Sequence, residues 1–459
     1  MLIKALKNKK PQLEITPMVD NYTPDTKRID ETLSQMIQIK TISTEENTYL
    51  DNMYKMHDYV LSRFTNIAKK CTLTDYNGGM MIKWEGKTDH KKPLVLMSHL
   101  DVVPAKGDWQ EEPFSGKIVD GVIWGRGTVD TKGPLSAELE AVDSLIGEGF
   151  EPEQDVYIIS SSREEIAGED VPNMVKDLNE QGIVPAIVLD EGGAIMDGSG
   201  VMAGMQGKYA MIAHSERASI QILVKGGSVK GKKAPALRIA DFTLALSKAK
   251  VGDRNFPPLV KEMFSTLAPY MPFALKYVFT NLNVFEKLLC KVIPKISAEA
   301  TAMIGATVSF ASPKDKYTKD FVMGETATMV NLMFTPFVDK EACIKDIKAV
   351  AEQFDLTADV VSVRETPEAQ EIRSDAYEFI KQVNNRVFNG EVVTAPFALF
   401  GGTDARHFIG KADAVMRYAP IYITPEEFTT FHHPNERIHC ESIYNAVRFY
   451  REFIVSYKK

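Results

Sequence analysis

The chain has 459 residues, which is too long for one ordinary core, so we expect two or three domains. Its 44% hydrophobic and 25% charged residues are typical of soluble globular proteins, and no apolar run reaches the roughly 18 residues that span a bilayer. The formal net charge of −8, without a concentrated basic patch, argues against a nucleic-acid partner and favours small-molecule ligands.

The first stretch, MLIKALKNKKPQ, is basic but has neither a sustained apolar core nor a small-residue cleavage site. It does not resemble a secretory signal, so we expect a cytoplasmic protein. The cysteines are widely scattered and show no metal-ligand spacing: Cys71, Cys290, Cys343 and Cys440. We expect them to be reduced thiols in a reducing compartment.

The first half of the chain alternates between helical and strand-like patterns. Apolar spacing predicts helices between Asp25 and Ala68. Four short β-like segments follow, at residues 80–86, 93–101, 155–162 and 185–193. Pro134 fits the first turn of a connecting helix that Gly147 and Gly149 can end. This alternation indicates an α/β domain with at least partly parallel strands.

The pattern changes near Ser215. Residues 217–227 and 327–336 alternate as strands with one solvated face, and a helical stretch of about 257–304 lies between them. Antiparallel strands with helices suggest a separate α+β domain inserted into the first. The predicted boundaries are 1–214 and 337–459 for the two parts of the α/β domain, which ends in an amphipathic helix, and 215–336 for the insertion.

Part of the inserted segment, LAPYMPFALKYVFTNLNVFEKLLCKVI, is unusually apolar for surface helices. Ordinary helix packing is the preferred interpretation. The functional alternatives are an apolar groove for an acyl chain and a contact with a membrane surface.

Acidic and imidazole side chains cluster at the ends of predicted segments. They are His99 and Asp101 in SHLD, Asp130 in GRGTVDTKG, Glu164 and Glu165 in SSREEIAGED, Asp190 and Glu191 in LDEGG, and His432 and His433 in FHHPNERI. Ligand sites in α/β sheets lie outside the carboxyl ends of strands, so these side chains can converge on one pocket.

Carboxylates and imidazoles without cysteine suit divalent cations, with zinc as the first choice and cobalt or manganese as alternatives. Two ions about 3.5 to 4 Å apart need a shared ligand, which a carboxylate can supply. A further carboxylate outside the metal shell would take a proton from water. The adjacent Glu164 and Glu165 supply two candidates for these roles.

The motifs SHLDVVP, PFSG, DGVIWGRGTVDTKG, REEIAGED, VLDEGG, GGTDAR and HHPNERI together resemble the dinuclear zinc metallopeptidases that include aminoacylase, carboxypeptidase S and bacterial dipeptidases. They run in order from about Thr41 to Ile454, and they are most similar to the carboxypeptidase S and N-acyl-amino-acid hydrolase branch. The resemblance implies a three-layer α/β catalytic domain with a mixed sheet. It also implies an inserted α+β lid or dimerisation domain, through which a homodimer could form.

The resemblance also implies a ligand set for two zinc ions. His99, Asp130 and Asp190 would hold one ion. Asp130, Glu165 and His432 would hold the other, with Asp130 as the bridge. His432 is preferred to its neighbour because it fits the family's His-x-x-Asn-Glu pattern.

Catalytic and substrate-binding residues follow from the same resemblance. Glu164 would be the general base and then the acid toward the leaving amine, and Asp101 would accept the remaining N–H of His99 and fix its tautomer. Gly402, Thr403 and Arg406 lie where the family shapes its substrate site. Arg406 either pairs with a substrate carboxylate or forms an ordinary salt bridge.

Several positions depart from the family pattern. Ser228 or Val229 replaces a histidine that helps bind the oxyanion, Asp320 lies near an asparagine position, and Met333 stands where arginine is common. Arg163 precedes Glu164 where the family generally has aspartate. Loss of an oxyanion donor commonly costs about 2.7 to 4 kcal/mol of barrier. Candidate substitutes for the donor are Lys230, Lys232, Lys233 and His214.

Two functions follow from these patterns. The first is a metal-dependent hydrolase that cleaves the amide bond of a dipeptide or an N-acyl amino acid, with a glutamate as general base. The second is a metal-containing binding or regulatory protein that kept the metal ligands and lost efficient catalysis through the lid changes.

Overall fold

The computed structural model describes residues 1–11, 15–44, 50–88, 90–322, 324–364 and 371–458. Its α-helices are α1 (Leu2–Lys7), α2 (Thr26–Gln38), α3 (Leu50–Arg63), α4 (Thr65–Lys70), α5 (Lys132–Gly147), α6 (Asp170–Glu180), α7 (Gly198–Val201), α8 (Pro235–Lys248), α9 (Pro258–Leu267), α10 (Phe273–Thr280), α11 (Leu282–Val292), α12 (Ala298–Ile304), α13 (Lys340–Glu352), α14 (Asp375–Val387), α15 (Pro425–Phe428) and α16 (Cys440–Ser456).

The strands are β1 (Cys71–Tyr76), β2 (Gly79–Trp84), β3 (Leu94–Met97), β4 (Ile118–Val119), β5 (Val122–Trp124), β6 (Val156–Ser160), β7 (Ile187–Asp190), β8 (Ile195–Asp197), β9 (Lys208–Ser215), β10 (Ala218–Gly226), β11 (Thr307–Ala311), β12 (Thr326–Phe334), β13 (Thr357–Arg364), β14 (Val392–Ala398), β15 (Ala414–Arg417), β16 (Tyr422–Ile423) and β17 (Arg437–His439).

A large mixed sheet forms the centre of the molecule. Its described strands have the order β1-β2-β6-β3-β7-β15-β9-β8-β16, with β14 beside β9. Alternate side chains of β3 point to opposite faces, so Leu94 and Leu96 pack with α2, α5, α14 and α16, while Val95 and Met97 pack with α6. The predicted three-layer α/β architecture with a mixed sheet is confirmed.

The parallel strands β6, β3 and β7 are neighbours, so their carboxyl ends meet at one edge of the sheet. Strand β3 ends at Met97, earlier than the predicted segment 93–101, and therefore His99 and Asp101 lie in the segment that follows the strand. Glu164 and Glu165 follow β6 in a 3-10 turn. Asp190 is the last residue of β7. The fold thus brings together the predicted ligand segments that follow β3 and β6 and the one at the end of β7.

A smaller antiparallel sheet has the order β11-β12-β10-β13 and packs on α8 and α13. Strand β13 pairs with β10, with Arg364 opposite Ser219. The smaller sheet therefore includes a strand that lies beyond the predicted boundary at residue 336. Helix α13 followed by β13 reads as an α/β unit in sequence, and only the pairing with β10 assigns it to the smaller sheet.

Helix α9 packs on β14 of the large sheet, and α10, α11 and α12 contribute Phe279, Leu282 and Ile304 to the same core cluster. Phe264 and Leu267 of α9 belong to one core cluster with Tyr209 of β9 and Phe397 of β14. The predicted helical segment 257–304 therefore forms an apolar cover over strands of the larger sheet. Among the described residues, no helix combines the length and apolarity that crossing a bilayer requires.

Candidate metal centre

Asp130 lies between the two predicted histidine ligands. Its Oδ1 is 2.9 Å from His99 Nε2, and its Oδ2 is 2.9 Å from His432 Nε2. His432 adopts a left-handed backbone conformation (φ 57°), which non-glycine residues usually adopt only where the surrounding structure requires it. The segment of Asp130 and the distant segment of His432 thus meet at one point.

A buried carboxylate holds the Asp130 loop in place. Glu436 Oε1 accepts hydrogen bonds from the backbone N–H groups of Gly127, Val129 and Asp130, at 3.0, 3.0 and 3.2 Å. Its other oxygen pairs with the buried Arg126 guanidinium. Glu436 is part of the HHPNERI motif, although the motif alone predicts no role for it.

Two further carboxylates approach the imidazoles. Glu165 Oε2 is 3.3 Å from His432 Nε2, and Glu191 Oε1 is 3.8 Å from His99 Nε2. Ligand atoms of His99, Asp130 and Glu165 lie within 4.8 Å of one another, and so do those of His99, Glu164 and Glu191. Glu165 Oε1 is buried and has no hydrogen-bond partner within the described ranges. These are two overlapping groups of potential metal ligands.

Asp190, the predicted ligand of the first ion, makes other contacts. Its Oδ2 accepts a hydrogen bond from Ala405 N at 2.8 Å, and its Oδ1 accepts one from Glu191 N at 2.9 Å. The structure therefore brings Glu191, and not Asp190, to His99.

Asp101 is fully buried and contacts both ligand segments. Its Oδ1 is 3.3 Å from His99 Nδ1, although the backbone oxygen of Asp101 is closer, at 2.9 Å. The same carboxylate accepts hydrogen bonds from Glu164 N and Glu165 N at 3.1 and 3.3 Å. Asp101 thus contacts the imidazole and also holds the turn that carries the paired glutamates.

The pKa values show how the carboxylates and imidazoles affect one another. Burial, together with repulsion from nearby carboxylates including Asp404, raises the pKa of Glu164 well above its usual value. Burial would also raise the pKa of Asp130, but hydrogen bonds from both histidines lower it below its usual range. Hydrogen bonds to Asp130 and Glu165 raise the pKa of His432 to about 10.

This donor set fits divalent cations. Burial also raises the pKa values of Glu165 and Glu191, which indicates that the ionised carboxylates lack sufficient positive charge around them. Bound cations would supply that charge, and the unpartnered oxygen of Glu165 could coordinate one of them. Imidazole and carboxylate ligands without cysteine suit zinc, cobalt or manganese.

A pocket of about 500 Å³ opens onto the ligand groups. Its walls include Gly402 and Thr403, whereas Arg406 does not line it. Arg406 Nη1 donates to Thr403 O at 2.8 Å, and its Nη2 is 3.6 Å from Asp404. Arg406 therefore forms the ordinary intramolecular contacts that were the alternative to binding a substrate carboxylate.

Another arginine lies against the pocket wall. Arg364 Nε and Nη2 are buried without hydrogen-bond partners among the described residues, and a methyl group on Gly402 would lie 2.6 Å from Nη2. Arg364 and Met333 flank Ser219 on the two neighbouring strands, and directly opposed residues point to the same face of a sheet. Arg364 thus supplies a cation on the sheet face where Met333 lacks one.

The other departures from the family pattern occupy varied environments. Arg163 pairs with Asp170 at the start of α6, while Ser228 and Asp320 are exposed. Among the candidate oxyanion partners, Lys232 and Lys233 form ion pairs with aspartates of the inserted unit, at 3.2 and 2.7 Å. His214 is buried beside Tyr377, with its Nδ1 3.0 Å from Ile212 O. Neither these two lysines nor His214 lines the pocket.

An apolar chamber of about 310 Å³ continues from the pocket beneath α9 and α12. The two cavities share Met196, Met211, Phe397, Phe400 and Phe428. The remaining chamber walls are Gly200, Val201, Met202, Met263, Phe264, Leu267, Ser297, Ala300 and Met303. No charged side chain lines the chamber in the part of the chain that the structure describes, so it suits a hydrocarbon group attached to a substrate at the ligand cluster.

Comparison with known proteins gives concordant matches over most of the chain. The model of Peptidase family M20/M25/M40 matches residues 95–456. The chain is 26% identical over 443 residues to the N-fatty-acyl-amino acid synthase/hydrolase PM20D1 of Xenopus tropicalis, covering 94% of this chain and 86% of that protein. It is 26% identical over 473 residues to the probable carboxypeptidase S-like 2 of Dictyostelium discoideum, covering 98% and 90%.

Solved structures share the fold. The M20 family metallo-carboxypeptidase Sso-CP2 from Sulfolobus solfataricus aligns with a TM-score of 0.65 at 16% identity. The alignment covers 94% of this chain and 99% of that one. The similarity therefore includes the inserted unit as well as the large sheet.

Proposed function

The chain belongs to peptidase family M20/M25/M40 and is an enzyme, and we propose that it hydrolyses the amide bond of N-acyl amino acids by a metal-dependent mechanism. The observation that carries the proposal is the Asp130 carboxylate, which contacts both His99 and His432 beside a pocket that leads into an apolar chamber. A dipeptide with an apolar amino-terminal residue would use the same site.

We assign one cation to His99, Asp130 and Glu191, and a second to Asp130, Glu165 and His432. Such ions act as Lewis acids that polarise the amide carbonyl and make water more acidic. Zinc is the first choice for both positions, and cobalt or manganese is the alternative.

Glu164 is the general base in this proposal. It lines the pocket beside the ligand residues, and its raised pKa suits a group that accepts a proton from water and then delivers it to the leaving nitrogen. Asp101 holds the backbone of Glu164 through its N–H group and so positions the base. These contacts support hydrolysis more than ligand binding alone.

The apolar chamber supports an acyl group as the part of the substrate that enters it. A fatty-acyl chain offers only hydrocarbon to the walls, which matches their lack of charged side chains. The relative from Xenopus tropicalis carries a name that includes both synthesis and hydrolysis of N-fatty-acyl amino acids. Because hydrolysis and condensation are the two directions of one reaction, we propose the same substrate class here without assigning the net direction.

A substrate panel tests the proposed function. We expect purified zinc-loaded protein to hydrolyse long-chain N-acyl amino acids faster than N-acetyl amino acids, and chelation to abolish both activities. Adding zinc, cobalt or manganese back to the chelated protein should restore turnover. Negligible hydrolysis across acyl amino acids and dipeptides, with the metals bound, would favour the binding-protein alternative.

Glu191 and Asp190 provide a second test, based on metal content. We expect Glu191→Ala to lower the metal bound per chain, as measured by atomic emission, because it removes a proposed ligand. We expect Asp190→Asn to lower thermal stability with a smaller effect on metal content, because its oxygens accept backbone hydrogen bonds. If Asp190→Asn lowers metal content more than Glu191→Ala does, Asp190 is a metal ligand.

Arg364 is the proposed anchor for the substrate carboxylate. Arg364→Leu should raise KM by about ten- to a hundredfold with little change in kcat, which corresponds to the loss of a charge-assisted hydrogen bond. The matched control is Arg373→Leu, since the Arg373 side chain is 67% exposed and pairs with Glu262. If Arg364→Leu raises KM for the acyl amino-acid amide as much as for the free acid, Arg364 does not bind the carboxylate.

A further inference from the structure

An exposed surface of α11 combines a hydrocarbon stripe with lysines. Val284, Leu288 and Val292 follow one another at four-residue intervals, and Ile296 continues beyond the helix. Their exposed fractions are 63%, 56%, 37% and 76%. The exposed Lys287, Lys291 and Lys295 each lie one position before a member of this stripe. We name these seven residues the α11 face.

A second exposed segment with apolar and basic residues lies near the start of α11. Helix α1 contacts α10, and Asn8 Nδ2 donates to Thr280 Oγ1 at 2.8 Å, close to the start of α11. The large apolar side chains of α1 are more than half exposed. They are Leu2 (54%), Ile3 (69%) and Leu6 (58%). Residues 1–10 contain four lysines and no acidic residue, although the whole chain carries a net charge of −8.

From this surface we propose that the protein docks on anionic phospholipid bilayers through the α11 face and α1. An amphipathic helix with lysines beside its apolar stripe lies in the plane of a membrane, with the apolar side chains inserted among the headgroups and acyl chains. Lysine stems extend along apolar surface while their ammonium groups reach anionic headgroups. The local positive charge on an otherwise acidic protein selects an anionic surface as the partner.

A second copy of the chain fits this surface less well. In a twofold-symmetric interface the same patch lies on both subunits, so the lysines of the two copies would be brought together. Like charges then oppose the burial of the apolar stripe. A bilayer containing phosphatidylserine supplies the opposite charge, and such lipids are abundant in the cytoplasmic leaflet.

The docking surface also borders the apolar chamber. Ile296 belongs to the α11 face, and the next residue, Ser297, lines the chamber together with Ala300 and Met303. Docking would therefore bring the chamber close to the lipid phase in which long-chain acyl amino acids accumulate. This functional benefit rests on the proposed substrate class, whereas membrane docking itself does not.

Vesicle flotation of the metal-loaded full chain tests the docking. We expect the protein to float with phosphatidylcholine vesicles that contain phosphatidylserine, much less with pure phosphatidylcholine, and less at high salt. Leu288→Glu should lower the partition coefficient at least about tenfold, since it removes a leucine that inserts among the lipids. Changing Lys287, Lys291 and Lys295 to Gln should weaken binding to the anionic vesicles roughly fivefold per lysine.

The matched control is Leu61→Glu in α3, which is 39% exposed and belongs to another helical layer. This variant should float like the unmodified protein, and Leu288→Glu should keep its activity on N-acetyl amino acids in solution. Failure of the unmodified protein to float with anionic vesicles would overturn the proposal. It would also be overturned by equal loss in both leucine variants, or by sedimentation showing a dimer that Leu288→Glu dissociates.

Discussion

Replacing Glu164 by glutamine is expected to lower kcat by about 10²- to 10⁴-fold, the range typical of a lost general acid-base group. Glutamine has nearly the same shape as glutamate but does not accept a proton from water. The variant therefore lacks the buried carboxylate, whose raised pKa suits proton transfer. Steady-state kinetics on a long-chain N-acyl amino acid measures the loss.

Metal content distinguishes the base from a ligand. Glu164→Gln should bind as much metal as the unmodified protein, whereas Glu165→Gln should bind less, because Glu165 contacts His432 and holds an unpartnered oxygen. Glu169→Gln, an exposed change a few residues away, is the control and should retain full kcat. If Glu164→Gln loses metal, Glu164 belongs to the ligand set with His99 and Glu191, and another group must act as the base.

The strand-end positions of the ligand segments could be predicted from sequence because buried parallel strands are short apolar runs. The run before His99 and the run before Asp190 both form strands of the large sheet, and their carboxyl ends meet as expected. The choice between Asp190 and Glu191 could not be made in this way. The two residues are adjacent and both are acidic, so the sequence pattern does not tell which carboxylate lies nearer to His99.

Supporting contacts between residues that are far apart in the sequence could not be predicted either. Glu436 accepts hydrogen bonds from the backbone of the Asp130 loop, more than 300 residues away in the sequence. A glutamate near a histidine motif has no sequence feature that predicts such a contact. The pairing of β13 with β10 could not be predicted from the sequence for a related reason. Strand β13 pairs with the edge of the smaller sheet that β10 leaves open. The periodicity of a strand predicts that it is a strand, but not which sheet edge it joins.

The apolar helices of the insertion show how two interpretations can both contribute. Phe264 and Leu267 of α9 pack in a core cluster and also line the chamber, so helix packing and an acyl site use the same side chains. In contrast, Val284 and Leu288 of α11 remain exposed. Sequence periodicity identifies an apolar face in both helices, but it does not tell which face another element covers.

Filling the chamber is expected to change the acyl-chain preference of the enzyme. Ala300→Trp would place an indole in a chamber of about 310 Å³ and exclude the distal part of a long acyl chain. Excluding four methylene groups at about 0.8 kcal/mol each removes about 3 kcal/mol, so the ratio of kcat/KM for long-chain to acetyl substrates should fall by about a hundredfold. Activity on the acetyl substrate should change little, because the reacting groups lie in the adjoining pocket.

The control for this variant lies on the same helix. Ala298 is exposed and does not line the chamber, so Ala298→Trp should keep the unmodified chain-length preference. Comparison of kcat/KM for acetyl, octanoyl and oleoyl amino acids measures the effect in both variants. If Ala300→Trp lowers all three values equally, the chamber does not bind the acyl chain and the selectivity must arise elsewhere. A selective loss of the longer substrates, absent from Ala298→Trp, would identify the cavity beneath α9 and α12 as the acyl-binding site.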